Sequence, residues 1–169
     1  MSNYLTIKLL YNYKINGDVM RESKNIINEL LVELFNDILI IEQREISTEE
    51  FKDVSVTEIH TIEAIGIKDL KSMSEIAADL NITVGTLTIA INNLVKKGYV
   101  ERKKSENDRR VVKISLTRKG KIVHRLHEKF HCDMVSACIE GLEEKEIDIL
   151  VKSLDKLNSF FRDRYDIKK

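Results

Sequence analysis

Residues 105–120 read SENDRRVVKISLTRKG. The stretch strings together a charged turn with paired arginines, a strand in which Val112, Ile114 and Leu116 alternate inward, and a helix start capped by Thr117. Residues 99–104 read as the partner strand. The polar helix ahead of them ends in Lys96-Lys97-Gly98, where the lysines complement the negative helix end and the glycine supplies a left-handed stop. A short helix, a second helix and a hairpin with arginines at its turn make the layout of a winged helix-turn-helix. In that layout one helix enters the major groove of DNA with the hairpin beside it.

Working upstream, two capping boxes fix two helix starts. Ser55-Val56-Thr57-Glu58 opens a helix with the apolar stripe Ile59, Ile62 and Ile65 and a stop at Gly66. Ser72-Met73-Ser74-Glu75 opens a shorter one that buries Ile76, Ala77 and Leu80. Asn81-Ile82 turns the chain and Thr83 caps the reading helix. At 100° per residue Val84, Leu87, Ile91, Leu94 and Val95 share one arc, and Gly85, Thr86, Ile89, Asn92, Asn93 and Lys96 share the other. On that polar arc Asn92 and Asn93 offer a paired donor and acceptor suited to adenine, or to phosphate. Thr86 and Thr88 stand with Thr83 near the helix N-terminus, where hydroxyls and amides meet phosphates. Ile89 is a contact for a thymine methyl or a plain surface residue.

Farther out, Ser23 is expected to cap a long helix to about Arg44 with the stripe Ile27, Leu30, Leu31, Leu34, Ile38 and Ile41. A helix from Thr117 to about Ile139 carries Val123, Leu126, Phe130 and Met134. A last one, from about Glu143 to Tyr165, repeats Ile147, Leu150, Leu154, Leu157 and Phe161. No second globular unit remains to cover these stripes. A fully buried Leu, Ile or Phe contributes roughly 1.5–3 kcal/mol, so a symmetric dimer in which the terminal helices interleave is the economical arrangement. The expected fold is mainly α with a small β-wing, a winged helix-turn-helix flanked by N- and C-terminal dimerisation helices. Residues 1–22 read as an appended tail broken off at Gly17-Asp18, with Met20 a candidate native start. Residues 23–54 form the N-terminal dimerisation helix and linker, 55–116 the DNA-binding domain and 117–169 the C-terminal dimerisation helices.

The formal net charge of zero conceals a segregation of sign. Residues 96–129 hold 13 Lys/Arg against 4 Asp/Glu, whereas residues 22–69 hold 4 against 12. A basic segment over the reading helix, wing and following helix is the electrostatic footprint of a nucleic-acid binder. Cys132 and Cys138 lie six positions apart on one expected helix, where they cannot meet, which suits a reducing cytoplasm. No run reaches the length of a membrane span. A Gly-x-Ser-x-Gly turn, a phosphate-cradling glycine loop and a carboxylate pair in an apolar frame are all lacking, so catalysis is not expected.

The sequence resembles the MarR family of bacterial regulators over about residues 24–165. Asp108-Arg109-Arg110 followed by Leu116-Thr117 and Gly120 matches the family's D-x-R … L-T-x-x-G wing. Within the family it is similar to the Gram-positive repressors of fatty-acid biosynthesis, through residues 58–66, 82–112 and 124–131. The resemblance implies that Arg109 and Arg110 do the minor-groove and phosphate work, with Asp108 holding an arginine in place. Residue chemistry agrees, since arginine is always charged, weakly hydrated and suited to a narrow groove. Double-stranded palindromic DNA and a second copy of the chain are the implied partners.

Two ligand classes stay open. The resemblance to the fatty-acid branch implies a long acyl chain on acyl carrier protein, acting as co-repressor, with the apolar faces of the first, second and fifth helices forming its tunnel. The basic run Arg118, Lys119, Lys121, Arg125 and Lys129 could meet an acidic carrier. The alternative is zinc. His127 and His131, four apart, share a helix face, and His60 lies on the second helix. The zinc-sensing branch has histidines in comparable places with acidic ligands ahead of the second helix, where this chain offers Glu42, Glu45, Glu49 and Glu50 but no cysteine. A thiol-based peroxide sensor is disfavoured because the first helix has no cysteine. A dimeric interaction module without DNA binding predicts a degraded reading arc or wing, and both are intact.

Overall fold

The computed structural model describes residues 17–46, 51–68, 70–104 and 112–165. In chain order the elements are α1 (Gly17–Ile46), α2 (Val56–Ile65), β1 (Lys71–Ser72), α3 (Met73–Asp79), α4 (Val84–Lys96), β2 (Val100–Lys104), β3 (Val112–Leu116), α5 (Arg118–Ile139) and α6 (Glu144–Tyr165). The chain divides into a unit ending at Ile41 and a second running from Glu42.

α1 corrects the reading of the N-terminal tail. It starts at Gly17, so Ser23 lies inside the helix instead of capping it, and it runs on to Ile46. Nothing from Asp18 to Glu22 breaks a helix, and an acidic residue in the first turn favours one. A single glycine at the first position carries too little cost to end the element. Along the helix Ile27, Leu30, Leu34 and Ile41 are exposed.

In the second unit the core comprises Phe51, Val54, Ile59, Ile62, Ile65, Ile76, Leu87, Ile91, Leu94, Tyr99, Ile114, Leu116 and Val123, with Ala77 and Val100. Both capping boxes form. Ser55 Oγ accepts from Glu58 N at 3.3 Å while Glu58 Oε2 accepts from Ser55 N at 3.0 Å. Ser72 and Glu75 make the same reciprocal pair. Gly66 and Gly98 take the positive φ that ends a helix, at 74° and 78°.

The sheet has the order β1-β3-β2, antiparallel throughout, with Lys71 opposite Ile114 and Val100 opposite Leu116. β1 was not expected from sequence: two residues cannot show an alternation, and Ser72 also caps α3. Two apolar positions depart from expectation. Val112 is exposed because its end of β3 runs out beyond the core, whereas Ile114 and Leu116 are buried. Val84 is exposed at the first turn of α4, before that helix reaches its neighbours. α6 buries no residue at all, and Ile149, Leu154, Phe160 and Phe161 are exposed along it.

Candidate nucleic-acid interface

α4 is held by its apolar face and presents its polar one. Leu87, Ile91 and Leu94 are fully buried, while Gly85, Thr86, Ile89, Asn92, Asn93 and Lys96 are exposed. Ile89 is 67 % exposed, the kind of free apolar tip that a thymine methyl could meet. Thr83 is the N-cap: its hydroxyl accepts from Thr86 N at 3.1 Å and lies 2.9 Å from Thr86 Oγ1. Thr88 donates back to Val84 O at 2.7 Å, so its hydroxyl serves its own helix. Thr83 and Thr86 are exposed, and Thr88 is half-buried. Asp108, Arg109 and Arg110 lie outside the described residues.

The far end of α4 is clamped to α2. Lys97 caps α4, and its Nζ donates to Glu58 Oε1 and Oε2 at 2.9 and 2.7 Å and to the carbonyl of Asp53. Glu58 is nearly buried and also closes the α2 capping box, so one carboxylate ties two helix ends together. Gln43, on α1, bonds Val54 O and Val56 N at 3.1 Å each. Lys97 therefore makes a tertiary contact where sequence suggested only a helix-dipole partner. On β2, Arg102 Nη2 donates to Asn92 Oδ1 at 2.6 Å.

Tyr99 closes the same network. It is fully buried, and its hydroxyl donates to Asp53 Oδ1 at 2.5 Å. That bond holds the Asp53 carboxyl below its ordinary value, helped by Lys119 and Lys97 and opposed by partial burial. Tyr99→Phe should lower stability by about 1 kcal/mol at neutral pH, the usual worth of one such bond. A carboxylate with a depressed pKa contributes stability above its unfolded pKa and loses it as pH falls through the folded value. The gap between wild type and variant should thus be full at pH 7 and close below the ordinary Asp range. Urea midpoints measured stepwise down to pH 3 test this, and a constant gap would contradict it.

A second cluster gathers side chains from three helices. Glu42 of α1 is buried, with Oε1 3.4 Å from His127 Nε2 and 3.2 Å from His131 Nε2. Its Oε2 faces His60 Nε2 at 3.3 Å and makes no hydrogen bond among the described residues. His127 Nε2 and His131 Nε2 are 3.1 Å apart, and Glu63 Oε2 lies 3.6 Å from His127 Nδ1. Burial, with His131 beside it, pushes the His127 pKa down, against the pull of Glu63 and Glu42. An open cleft of about 650 Å³, lined by Glu42, His60, Glu63, Asp79 and His131, leads to the group. Sequence had named the three histidines and Glu42, but not Glu63.

Comparison with known proteins decides the family. The MarR family model matches residues 54–112, from the residue before the α2 cap to the first residue of β3. A transcriptional regulator of Staphylococcus saprophyticus, SarZ, is 34% identical over 104 residues, covering 60% of this chain and 70% of SarZ. The chain belongs to the MarR family. Among solved structures, FabT of Streptococcus pneumoniae in complex with DNA is 44% identical, with a TM-score of 0.75. That match covers 83% of this MarR-family chain and 98% of the FabT chain. YetL, a transcriptional repressor of Bacillus subtilis, is 33% identical over 86 residues, and the match spans about half of either chain, 51% and 52%. SarZ and YetL are both named as regulators of transcription. Among the described residues no helix is long and apolar enough to cross a membrane.

Proposed function

We propose that this chain is a dimeric, sequence-specific DNA-binding repressor of fatty-acid biosynthesis genes, with a long acyl chain on acyl carrier protein as its co-repressor. The observation that carries the reading is the 44% identity to FabT, seen in complex with DNA, over 83% of this chain and 98% of the FabT chain. Thr83, Gly85, Thr86, Thr88, Ile89, Asn92, Asn93 and Lys96 on the reading helix, with Asp108, Arg109 and Arg110 at the wing, make up the DNA-binding set. The uncovered apolar residues of α6 and α1 support a dimer, because two copies can cover what one leaves wet. A two-fold dimer places two reading helices in successive major grooves about 10 bp apart, on a palindrome. The ligand acts by favouring the spacing of reading heads that matches the operator, which requires different affinities for the two arrangements.

The basic run after the wing divides in two. Lys129 is paired with Asp133, and Lys119 lies over the Tyr99 ring at 4.1 Å. Arg118, Lys121 and Arg125 instead line a groove of about 550 Å³ with Glu101, Leu116 and Ile122, a surface suited to an acidic carrier. The test is fluorescence anisotropy on a palindromic operator from a fatty-acid synthesis promoter, titrated alone, with long-chain acyl carrier protein and with zinc. Tightening by the acyl carrier is the expected result. Specific binding that ignores the carrier would remove the co-repressor from the reading.

The histidine cluster supports a second reading, a zinc-responsive regulator. In a tetrahedral site with zinc–nitrogen distances of about 2.0–2.1 Å the donor atoms lie roughly 3.3 Å apart. The ligand atoms of Glu42, His60 and His127 all lie within 4.8 Å of one another, with Glu42 oxygens 3.3 Å from His60 Nε2 and 3.4 Å from His127 Nε2. The donor set, two imidazoles and a buried carboxylate with a fourth position open, fits zinc. Glu42, His60 and His127 would hold the ion, and bound there it would supply a cross-link between α1, α2 and α5. Competition with a chromophoric chelator should then give one zinc per chain, weakened at least about 100-fold by His127→Ala. Zinc uptake by the wild type no tighter than that of the variant would end this reading.

A further inference from the structure

Arg102 and Asn92 are both exposed, on β2 and α4, and are joined by the guanidinium bond to Asn92 Oδ1. A guanidinium has donors and no acceptor, so the oxygen end of the amide, and not its nitrogen, must face it. That contact fixes the orientation of the amide and leaves its NH2 as the free end. The nearby acid on β2 is committed elsewhere: Glu101 pairs with Lys103 at 2.8 Å and accepts from Ser115 at 3.1 Å. Among the described residues Arg102 enters no ion pair that would draw it off Asn92. Asn93 has no side-chain partner among the described residues and keeps both ends of its amide.

The consequence bears on which base is read. Bidentate recognition of adenine needs an amide oxygen to accept from N6 and an amide nitrogen to donate to N7. With one of the two lone pairs of its oxygen taken and that end turned to Arg102, Asn92 presents its NH2 beside the remaining guanidinium N–H groups, so donors outnumber the one acceptor lone pair that is left. The complementary base edge presents acceptors, as guanine does with N7 and O6 in the major groove. We propose that Arg102 is a specificity-determining, positioning residue that orients the Asn92 amide so that the pair reads mainly as hydrogen-bond donors, selecting guanine over adenine. The proposal rests on the DNA-binding reading of the chain. It changes the expectation for Asn92 and leaves the adenine contact to Asn93.

In vitro selection from a randomised duplex library tests it, using wild type, Arg102→Ala, Asn92→Ala and the double variant, with salt-titrated anisotropy on the winning duplexes. Wild type should select guanine at one position per half-site. Arg102→Ala frees the amide oxygen and should shift that position toward adenine, with roughly a tenfold loss of discrimination. Asn92→Ala should flatten the same position, and adding Arg102→Ala to it should change the base preference no further. The proposal is overturned if Arg102→Ala keeps the base preference and only weakens binding to every sequence. In that case the salt slope should fall by about 0.9 per lost contact, because Arg102 would be neutralising a phosphate. It is also overturned if wild type selects adenine at the position that Asn92→Ala flattens. A wild type that enriches no sequence would refute DNA reading itself, a failure distinct from either of these.

Discussion

Gly120→Ala is expected to lower the thermal midpoint by roughly 10 °C. A Cβ at this position would sit 2.1 Å from Tyr99 O and 3.1 Å from Tyr99 C, with Leu116 Cδ2 at 3.3 Å. The obstacle is backbone and cannot swing aside as a long side chain would. It is also pinned, because Tyr99 O accepts from Thr117 N at 3.0 Å and from Thr117 Oγ1 at 3.1 Å. The same hydroxyl accepts from Gly120 N at 3.2 Å as the N-cap of α5. Relief therefore requires moving the first turn of α5 away from the start of β2, across the buried ring of Tyr99. Overpacking typically costs about 1–3 kcal/mol, and a blocked backbone places this case at or above the upper end. At about 2–4 °C per kcal/mol for a chain of this size, that is the predicted shift. Gly85→Ala is the control: its Cβ would meet only Thr83 Oγ1, at 3.7 Å, and the midpoint should stay within about 2 °C. Thermal melts of the two variants decide the point, and a Gly120→Ala protein as stable as wild type would refute it.

This pair of residues shows what a sequence pattern carries. Thr117 and Gly120 were noticed as part of a wing motif, and their physical role proves to be local: a cap and a close approach, set by residues three apart. The other local signals were legible for the same reason. The boxes Ser55/Glu58 and Ser72/Glu75, the cap Thr83 and the stops Gly66 and Gly98 each need only a few neighbouring residues. Periodicity also assigned the faces of α4 and α5 correctly, but not where the neighbours on each face run out. That is why Val84 and Val112 are exposed although their neighbours on the pattern are buried. The start of α1 was misplaced because a glycine reads as a break wherever it falls, whereas at a helix end it costs little. Pairings across the fold were hidden altogether. Lys97 meets Glu58 across 39 positions and Arg102 meets Asn92 from another element, and nothing in spacing announces either. The histidine cluster lies between these cases. His127 and His131 share a helix face by their spacing, but only the fold could place Glu42 against them and add Glu63; Glu49 and Glu50 lie outside the described residues.

Replacing Arg109 and Arg110 together by alanine should cost more DNA affinity than any change on the reading helix. The basic segment they belong to carries 13 Lys/Arg against 4 Asp/Glu, and they stand at the tip of its hairpin in the sequence. In a dimer the double variant removes four guanidinium groups from one operator complex. If each subunit loses one phosphate contact and one minor-groove contact, the slope of log K against log salt should flatten by about 1.8. An arginine that enters the minor groove acts through the negative potential of a narrow groove, so under the proposed reading the loss should fall hardest on A-tract operators. Together these effects should weaken operator binding at least about 100-fold at physiological salt. Stability is a separate matter, because exposed ion pairs contribute only about 0–1 kcal/mol. The thermal midpoint should therefore stay close to wild type, which separates a lost contact from a lost fold. An interaction module that never reads DNA would respond differently, keeping its partner and showing no operator-specific binding to lose. Anisotropy at three or more salt concentrations distinguishes these outcomes. If the variant retained both the affinity and the slope, the electrostatic work would lie instead with Lys96 of α4 and Arg102 of β2.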